Sequence, residues 1–153
     1  MATRTRLLNY TTSVPVDKTV GEITSILVRA GARSIQTDFN DHGRISGMNF
    51  VVRTGFGNRA FHVPVQSERV HKVLQQELAH TRTHQSKAML SSPEQAERVA
   101  WRILKDWLEA QMTLITLELI TLDQAMLGFM QVRAGDNRTA YELYADEQLA
   151  LPQ

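Results

Sequence analysis

Short stretches of alternating apolar and polar residues dominate the first half of the chain. Residues 8–14 alternate in this way, which predicts a half-buried strand. Residues 34–39 and 45–54 repeat the pattern, and the segment Asn40-Asp-His-Gly43 between them has the composition of a tight hairpin turn. A shorter strand is predicted over residues 61–65 after a second turn. The first half is therefore expected to form a largely antiparallel sheet.

Apolar residues elsewhere recur every three to four positions, which is the spacing of an amphipathic helix. Residues 19–30 predict a first helix, with capping-box spacing in Thr19-Val-Gly-Glu22 and a left-handed stop at Gly31. Residues 70–78 predict a second helix. Together with the strands, these segments give the order β-α-β-β-β-α.

The strongest local signal is Ser92-Pro-Glu-Gln95, which combines an N-cap serine, a proline at the first helical position and a glutamine that returns the cap. A long helix is expected from about residue 92 to residue 118. Gln111 lies inside its apolar stripe, and burying an amide without partners costs a few kcal/mol, so we expect Gln111 to have a defined partner. Thr121-Leu-Asp-Gln124 has capping-box spacing and predicts a short helix after it.

The predicted fold class is α+β: an N-terminal β-α-β-β-β unit with a mostly antiparallel sheet, followed by C-terminal helices. A chain of 153 residues is of ordinary size for one domain, so residues 1–153 are expected to share one core. Within it, residues 1–78 form the sheet-rich half and residues 92–153 the helical half. The segment 79–91 is polar, basic and without period, which indicates a linker.

Composition favours a protein of the cytoplasm. No run approaches the roughly 18 apolar residues that a membrane-spanning helix requires, so no membrane partner is expected. Residues 1–6 are not followed by an apolar signal segment, and the chain contains no cysteine that would exploit an oxidising compartment.

Charge is distributed unevenly, although the net charge is only +1. Six Lys/Arg against four Asp/Glu give residues 1–52 a net charge of +2, and nine against four give residues 53–105 a net charge of +5. Residues 106–153 hold two against eight, a net charge of −6. Such a split permits an anion site or contact between subunits, and it is also what an uneven solvated surface looks like.

Three basic residues of the long helix, Arg98, Arg102 and Lys105, share one helical face and form a predicted basic ridge. It is either a solvated face that pairs with neighbouring glutamates, or a set of donors for phosphate oxygens, which guanidinium groups match well. In the second case Arg53 and His62 are expected to approach from the sheet.

An aromatic ring near the ridge would complete a nucleotide site by stacking on the base. Phe61 is the candidate for this role, and Phe56 is the alternative. Because Phe61 lies on the alternating apolar face of its strand, the same pattern also assigns it to the core.

No catalytic or metal-binding constellation stands out. His80 and His84 have the spacing of two zinc ligands on a helix, but no further ligand accompanies them, and no metal or other cofactor is expected. Asp38 and Asp41 are expected to shape the hairpin turn rather than to act as an acid and a base. No serine or threonine lies at a spacing from a base that would indicate nucleophilic catalysis, so we expect a protein that is not an enzyme.

Three stretches are similar to a family of small phage and prophage proteins, and the likeness extends over about residues 8–130. They are Val16-Asp-Lys-Thr-Val-Gly-Glu-Ile23, Phe61-His-Val-Pro64 and Arg98-Val-Ala-Trp-Arg-Ile-Leu-Lys-Asp-Trp-Leu-Glu-Ala-Gln-Met112. The chain departs from the family pattern at Leu127-Gly-Phe129, where that pattern has Leu-Pro-Tyr. The resemblance implies a phage accessory protein that acts in the cytoplasm of the bacterial host.

A strand-rich first half followed by helices is also similar to the Thoeris anti-defence sponges, oligomeric phage proteins that sequester cyclic ADP-ribose signals. This likeness implies a binding protein that captures a small phosphorylated nucleotide without cleaving it. Trp101 and Trp107 lie on different sides of the long helix, which favours a homo-oligomer. The alternatives are a single-stranded nucleic-acid-binding protein of phage recombination or replication, and a protein inhibitor of a host defence enzyme.

Overall fold

The computed structural model describes residues 7–83 and 85–152, and it confirms the α+β class. The elements, in chain order, are α1 (Val16–Arg29), β1 (Ala32–Phe39), β2 (Ile45–Thr54), β3 (Gly57–Pro64), α2 (Ser67–Leu78), α3 (Lys87–Leu90), α4 (Pro93–Thr116), α5 (Leu122–Met126), a 3₁₀ turn (Leu127–Phe129) and α6 (Ala140–Ala150). None of the helices in the described ranges is long and apolar enough to cross a membrane.

The three strands form one antiparallel sheet in the order β1-β2-β3. The first hairpin turns at residues 40–43, as predicted, and Gly43 adopts the positive φ of 72° that the turn requires. The Asn40 side-chain oxygen accepts hydrogen bonds from the backbone amides of His42 and Arg44, so this residue shapes the turn. The second hairpin has only Gly55 and Phe56 between its strands.

One face of the sheet is apolar and the other is polar. Met48, Phe50 and Val52 of β2 are buried, and Phe50 stacks on Phe61 of β3 with ring centroids 5.4 Å apart. The alternate residues point to the opposite face, where Asn49 pairs in register with His62. The structure thus confirms that the even-numbered positions of β2 face the core.

The strand predicted over residues 8–14 is wrong, because residues 8–11 form a turn and no strand begins before residue 32 in the described range. Asn9 has a positive φ of 62°, a left-handed conformation that interrupts any extended strand. The predicted capping box at Thr19 is also wrong. Helix α1 begins at Val16, and Thr19 is fully buried within it.

The cap of the long helix is confirmed at Ser92, whose hydroxyl accepts a hydrogen bond from the backbone amide of Gln95. The helix then runs to Thr116, close to the predicted end. The Gln95 side chain does not serve the cap as predicted: its amide nitrogen donates to the carbonyl oxygens of Tyr10 and Thr12, both at 2.9 Å. The side chain of Gln95 is 1% exposed, whereas that of Gln111 is half-buried.

The two short C-terminal helices both begin at capping boxes. Thr121 and Gln124 form the predicted box at α5, and Thr139 forms a second with Glu142 at α6. In each box the threonine hydroxyl accepts from a backbone amide, and the longer side chain accepts from the backbone amide of the threonine. Leu143 of α6 is buried.

The chain divides into two compact units, and each unit consists of two chain segments. Unit 1 comprises residues 1–24 and 65–108, and unit 2 comprises residues 25–64 and 109–153. The prediction of a single domain over the whole chain stays a prediction.

A buried cluster from α2, α3 and α4 holds unit 1 together. It consists of Leu74, Leu78, Leu90, Ala96 and Val99. Leu90 is 0% exposed although it belongs to the segment 79–91, which the sequence predicts to be a linker. Thr81 of the same segment is also buried, at 3% exposed, so parts of the expected linker pack into the protein.

Candidate functional site

The predicted basic ridge lies in unit 1, and its arginines have partners within the protein. The Arg102 guanidinium forms an ion pair with Glu22 and lies 3.5 Å from the Thr19 hydroxyl. The Arg98 Nε donates to the side-chain oxygen of Gln95 at 2.9 Å. Thr19 and Gln95 are buried, and Arg98, Arg102 and Glu22 are half-buried. The guanidinium groups therefore contribute to the framework of unit 1.

Lys105, the third member of the ridge, is also half-buried. Its ammonium nitrogen lies 3.9 Å from a carboxylate oxygen of the adjacent Asp106, and Asp106 in turn accepts a hydrogen bond from the Asn9 side chain at 2.8 Å. The ridge thus carries three cations with carboxylate or amide neighbours in unit 1.

The other predicted site residues lie on the sheet, in unit 2. Phe61 is 1% exposed and stacks on Phe50, so its ring is part of the core and presents no free face for a base. His62 and Arg53 both lie on the polar face, because His62 pairs in register with Asn49 and Arg53 follows Asn49 by four positions on β2. The sheet therefore brings His62 and Arg53 to one face and turns Phe61 to the other.

An open groove of about 620 Å³ lies over this polar face, and we call it the polar groove. Its floor is a row of side chains that runs across the three strands, from Gln36 through Asn49 to His62. Asp38 lies beside this row. Gly47, its partner in register, has no side chain, and a Cβ there would lie 3.8 Å from the Asp38 carboxylate and 3.1 Å from the Val63 carbonyl oxygen.

Three side chains in the polar groove form a hydrogen-bonded chain that fixes their orientation. The Asn49 amide nitrogen donates to the Asp38 carboxylate at 2.7 Å, and the Asn49 oxygen is hydrogen-bonded to Nδ1 of His62. A carboxylate only accepts, so the amide must turn its nitrogen toward Asp38 and its oxygen toward His62. Nδ1 of His62 then carries the proton, and in the neutral ring Nε2 is left as an acceptor.

The opposite wall of the polar groove comes from the segment before α6. The backbone amide of Gln131 donates to the carbonyl oxygen of Ala60 at 2.8 Å, which attaches this segment to the outer edge of β3. The Gln131 side chain in turn donates to the Asn137 carbonyl oxygen at 3.2 Å. Both Gln131 and Asn137 line the groove, together with Glu142.

An exposed charge network holds the far end of that wall. Arg138 donates to Asp136 at 2.7 Å and to Asp146 of α6 at 2.9 Å. The hydrogen bonds from the Arg138 side chain and backbone lower the pKa of Asp136 from its ordinary value to about 2. The same carboxylates raise the pKa of Arg138. The loop between Gln131 and Thr139 is thus tied to the first turns of α6.

Within residues 7–83 and 85–152, no group of three His, Cys, Asp or Glu residues could hold a metal ion. His84, which has zinc-ligand spacing to His80, lies outside the described residues.

Comparisons with known proteins return no relative: no family model matches the chain, and no curated protein or solved structure matches it significantly.

Of the three hydrogen-bonded residues in the polar groove, the sequence predicted only His62 as a site residue. It did not predict Asp38 or Asn49. Asp38 was expected to shape the turn, a role that Asn40 fills instead. Asn49 carries no signal by itself, because a polar residue at an alternate strand position is ordinary. The signal that could have found them is the strand register: once a short hairpin turn is assumed, Gln36, Asn49 and His62 fall in one row.

Proposed function

We propose that the protein is a non-catalytic binding protein that captures a small nucleotide in the polar groove, and that a phage uses it to withhold an immune signal from its host. The observation that carries the binding function is the oriented chain Asp38–Asn49–His62 on the floor of an open cavity. The phage setting and the immune signal rest on the family resemblance.

Size and lining support a small organic ligand. A cavity of about 620 Å³ lies within the range of roughly 300–1,000 Å³ typical of small-molecule sites. Its side chains include four amides, those of Gln36, Asn49, Gln131 and Asn137, which offer both donors and acceptors. Nucleobase edges and ribose hydroxyls present the same mixture of groups.

The orientation of the hydrogen-bonded residues Asp38, Asn49 and His62 determines which edge of the ligand can face them. Asp38 accepts at both carboxylate oxygens, and the neutral form of the His62 ring offers Nε2 as a second acceptor. Two neighbouring acceptors favour a ligand edge with neighbouring donors, such as the N–H groups of a base or a ribose diol. The ligand's phosphate is then expected to lie away from the Asp38 carboxylate.

Arg53 is the cation that suits this phosphate. It is exposed on the same face as Asn49 and lies four positions along β2, which is about 13 Å at a rise of roughly 3.3 Å per residue. That separation matches the length of a nucleotide. Arg53 is thus expected to contact the phosphate while the base or ribose occupies the groove.

Isothermal titration calorimetry against cyclic ADP-ribose isomers and cyclic di- and trinucleotides tests the proposal. We expect binding of at least one of them, and Asp38→Asn is expected to weaken it by about tenfold or more, because an acceptor for the ligand becomes a donor. Asp41→Asn is the matched control, since Asp41 is an exposed carboxylate in the adjacent turn. Absence of heat with every nucleotide, or equal losses in the two variants, would contradict the proposal.

A second pair of titrations tests the orientation. Arg53→Gln is expected to weaken binding of the phosphorylated ligand and to leave binding of its nucleoside unchanged. Loss of both would assign Arg53 a role in folding rather than in phosphate recognition.

A further inference from the structure

The tip of the second hairpin presents an aromatic side chain to solvent. Phe56 is 78% exposed and lies between Gly55 and Gly57 at the end of the β2–β3 ribbon. The tip is ordered by Thr54, whose hydroxyl accepts from the backbone amide of Phe56 at 3.1 Å and donates to the carbonyl oxygen of Gly57 at 2.8 Å. A single exposed ring is ordinary, so its significance depends on what lies beside it.

Beside the tip is a cavity of about 640 Å³, which we call the hairpin pocket. One wall is the hairpin, with Arg53 and Phe56, and the other runs from the end of α4 into α5, with Glu118, Leu119 and Asp123. Leu119 is 65% exposed, so both walls present apolar groups as well as charges. All these residues belong to unit 2.

We propose that the hairpin pocket is the interface through which two copies of this chain associate about a twofold axis. A twofold contact requires one patch that is complementary to itself. The pocket meets this condition because its hairpin wall is aromatic and cationic, whereas its helical wall is aliphatic and acidic. In the dimer, Phe56 of each copy packs against Leu119 of the other, and Arg53 of each copy faces Glu118 and Asp123 of the other.

Aromatic residues and arginines are the groups that most often dominate the energy of protein interfaces. Phe56 is therefore expected to be the main anchor of the dimer, with Arg53 setting its register. Phe56 and Leu119 take no part in the proposed nucleotide site, whereas Arg53 is shared with it, so Phe56→Ser is the variant that tests the interface independently of the nucleotide proposal.

Sedimentation equilibrium of the full chain, from low micromolar to hundreds of micromolar concentration, tests the interface. The wild-type protein is expected to dimerise, and Phe56→Ser is expected to raise the dimer Kd by about tenfold or more. Phe39→Ser is the matched control, because Phe39 is 62% exposed on β1 and does not line the pocket. We expect Phe39→Ser to leave the dimer Kd unchanged.

A charge exchange distinguishes a direct contact from an effect on folding. Arg53→Glu alone is expected to weaken the dimer, and mixing the Arg53→Glu variant with the Glu118→Arg variant is expected to give a heterodimer, because opposite charges then meet only between the two copies. A wild-type chain that stays monomeric throughout the concentration range would overturn the inference. So would a dimer that is unaffected by Phe56→Ser, or a monomer that binds single-stranded oligonucleotides through Phe56 and Arg53.

Discussion

The side-chain amide of Gln95 donates a hydrogen bond of 2.9 Å to the backbone carbonyl of Tyr10, a residue 85 positions earlier in the chain. The same nitrogen donates to the carbonyl of Thr12, and the amide oxygen accepts from Arg98. The segment before α1 has no strand partner for these carbonyls, so one buried side chain takes the place of a neighbouring strand. The bonds attach this segment to the first turn of α4.

Gln95→Leu is expected to lower the free energy of unfolding by about 2–4 kcal/mol, because it removes three hydrogen bonds and leaves the Tyr10 and Thr12 carbonyl groups without their donor. Urea denaturation followed by circular dichroism measures the loss. Gln111→Leu provides the comparison: this half-buried amide lies in the apolar stripe of the same helix, and its replacement is expected to change stability by less than about 0.5 kcal/mol. Equal effects of the two substitutions would argue against the role assigned to Gln95.

The ion pair of Arg102 with Glu22 is expected to act in folding and not in ligand binding. In a double-mutant cycle, Arg102→Ala and Glu22→Ala should show a coupling energy of about 1 kcal/mol, as for a partly exposed pair. Affinity for the nucleotide should stay within about twofold in Arg102→Ala at a temperature where the variant is folded. A loss of affinity without a loss of stability would instead support the basic ridge as the phosphate site.

The Asp136–Arg138 network gives a prediction for pH. Since folding lowers the pKa of Asp136, its contribution to stability is present above the ordinary carboxyl pKa near about 4 and is lost as the pH falls toward the folded value of about 2. Carbon-detected NMR should give a titration midpoint at a pH of about 2 for this carboxyl group. In Arg138→Gln the midpoint should return toward its ordinary value, and an unchanged midpoint would contradict the assignment.

The hydrogen-bonded chain in the polar groove predicts the tautomer of His62. At a pH where the ring is neutral, ¹⁵N chemical shifts should show a protonated Nδ1 and an unprotonated Nε2, because Asn49 can only accept from this ring. Asn49→Leu removes the acceptor, so the two tautomers should then mix. A ring protonated at Nε2 in the wild-type protein would reverse the donor and acceptor pattern proposed for the ligand.

Removal of the α6 cap tests how that helix is held. Thr139→Ala is expected to cost about 1 kcal/mol, since the hydroxyl accepts from the Glu142 amide. Thr139→Ser keeps the hydroxyl and is expected to retain most of the stability. Similar losses in both variants would indicate that packing of the threonine methyl group, rather than the cap, is the important contribution.

Local chemistry was sufficient to predict the hairpins and the long helix. The turn at residues 40–43 and the cap at Ser92 each depend on a few neighbouring residues, so their positions follow from the sequence. The strand predicted over residues 8–14 failed for the opposite reason. Its alternation is real, but whether an alternating segment joins a sheet depends on a partner strand, and here the segment meets α4 instead.

The candidate site was only partly predictable. The sequence suggested phosphate binding at Arg98 and Arg102, because it does not reveal distant partners such as Glu22. Without such a partner, a cation on a helix is expected to be free to bind a ligand. Conversely, Asp38 and Asn49 gave no signal in the sequence, because the strand register is what brings them together with His62. Gln111 looked like the buried amide, whereas the buried amide is Gln95. In each case the decisive contact joins residues far apart in sequence.

The division of the chain has a practical consequence for dissecting the protein. Two of the three unit boundaries fall inside helices, between residues 24 and 25 in α1 and between residues 108 and 109 in α4, and the third lies between residues 64 and 65. The expected linker, residues 79–91, lies wholly within unit 1. Expressing fragments on either side of that linker would therefore split unit 1 and leave neither fragment with a whole unit. A faithful excision of unit 2 requires residues 25–64 to be rejoined to residues 109–153 by a designed connection.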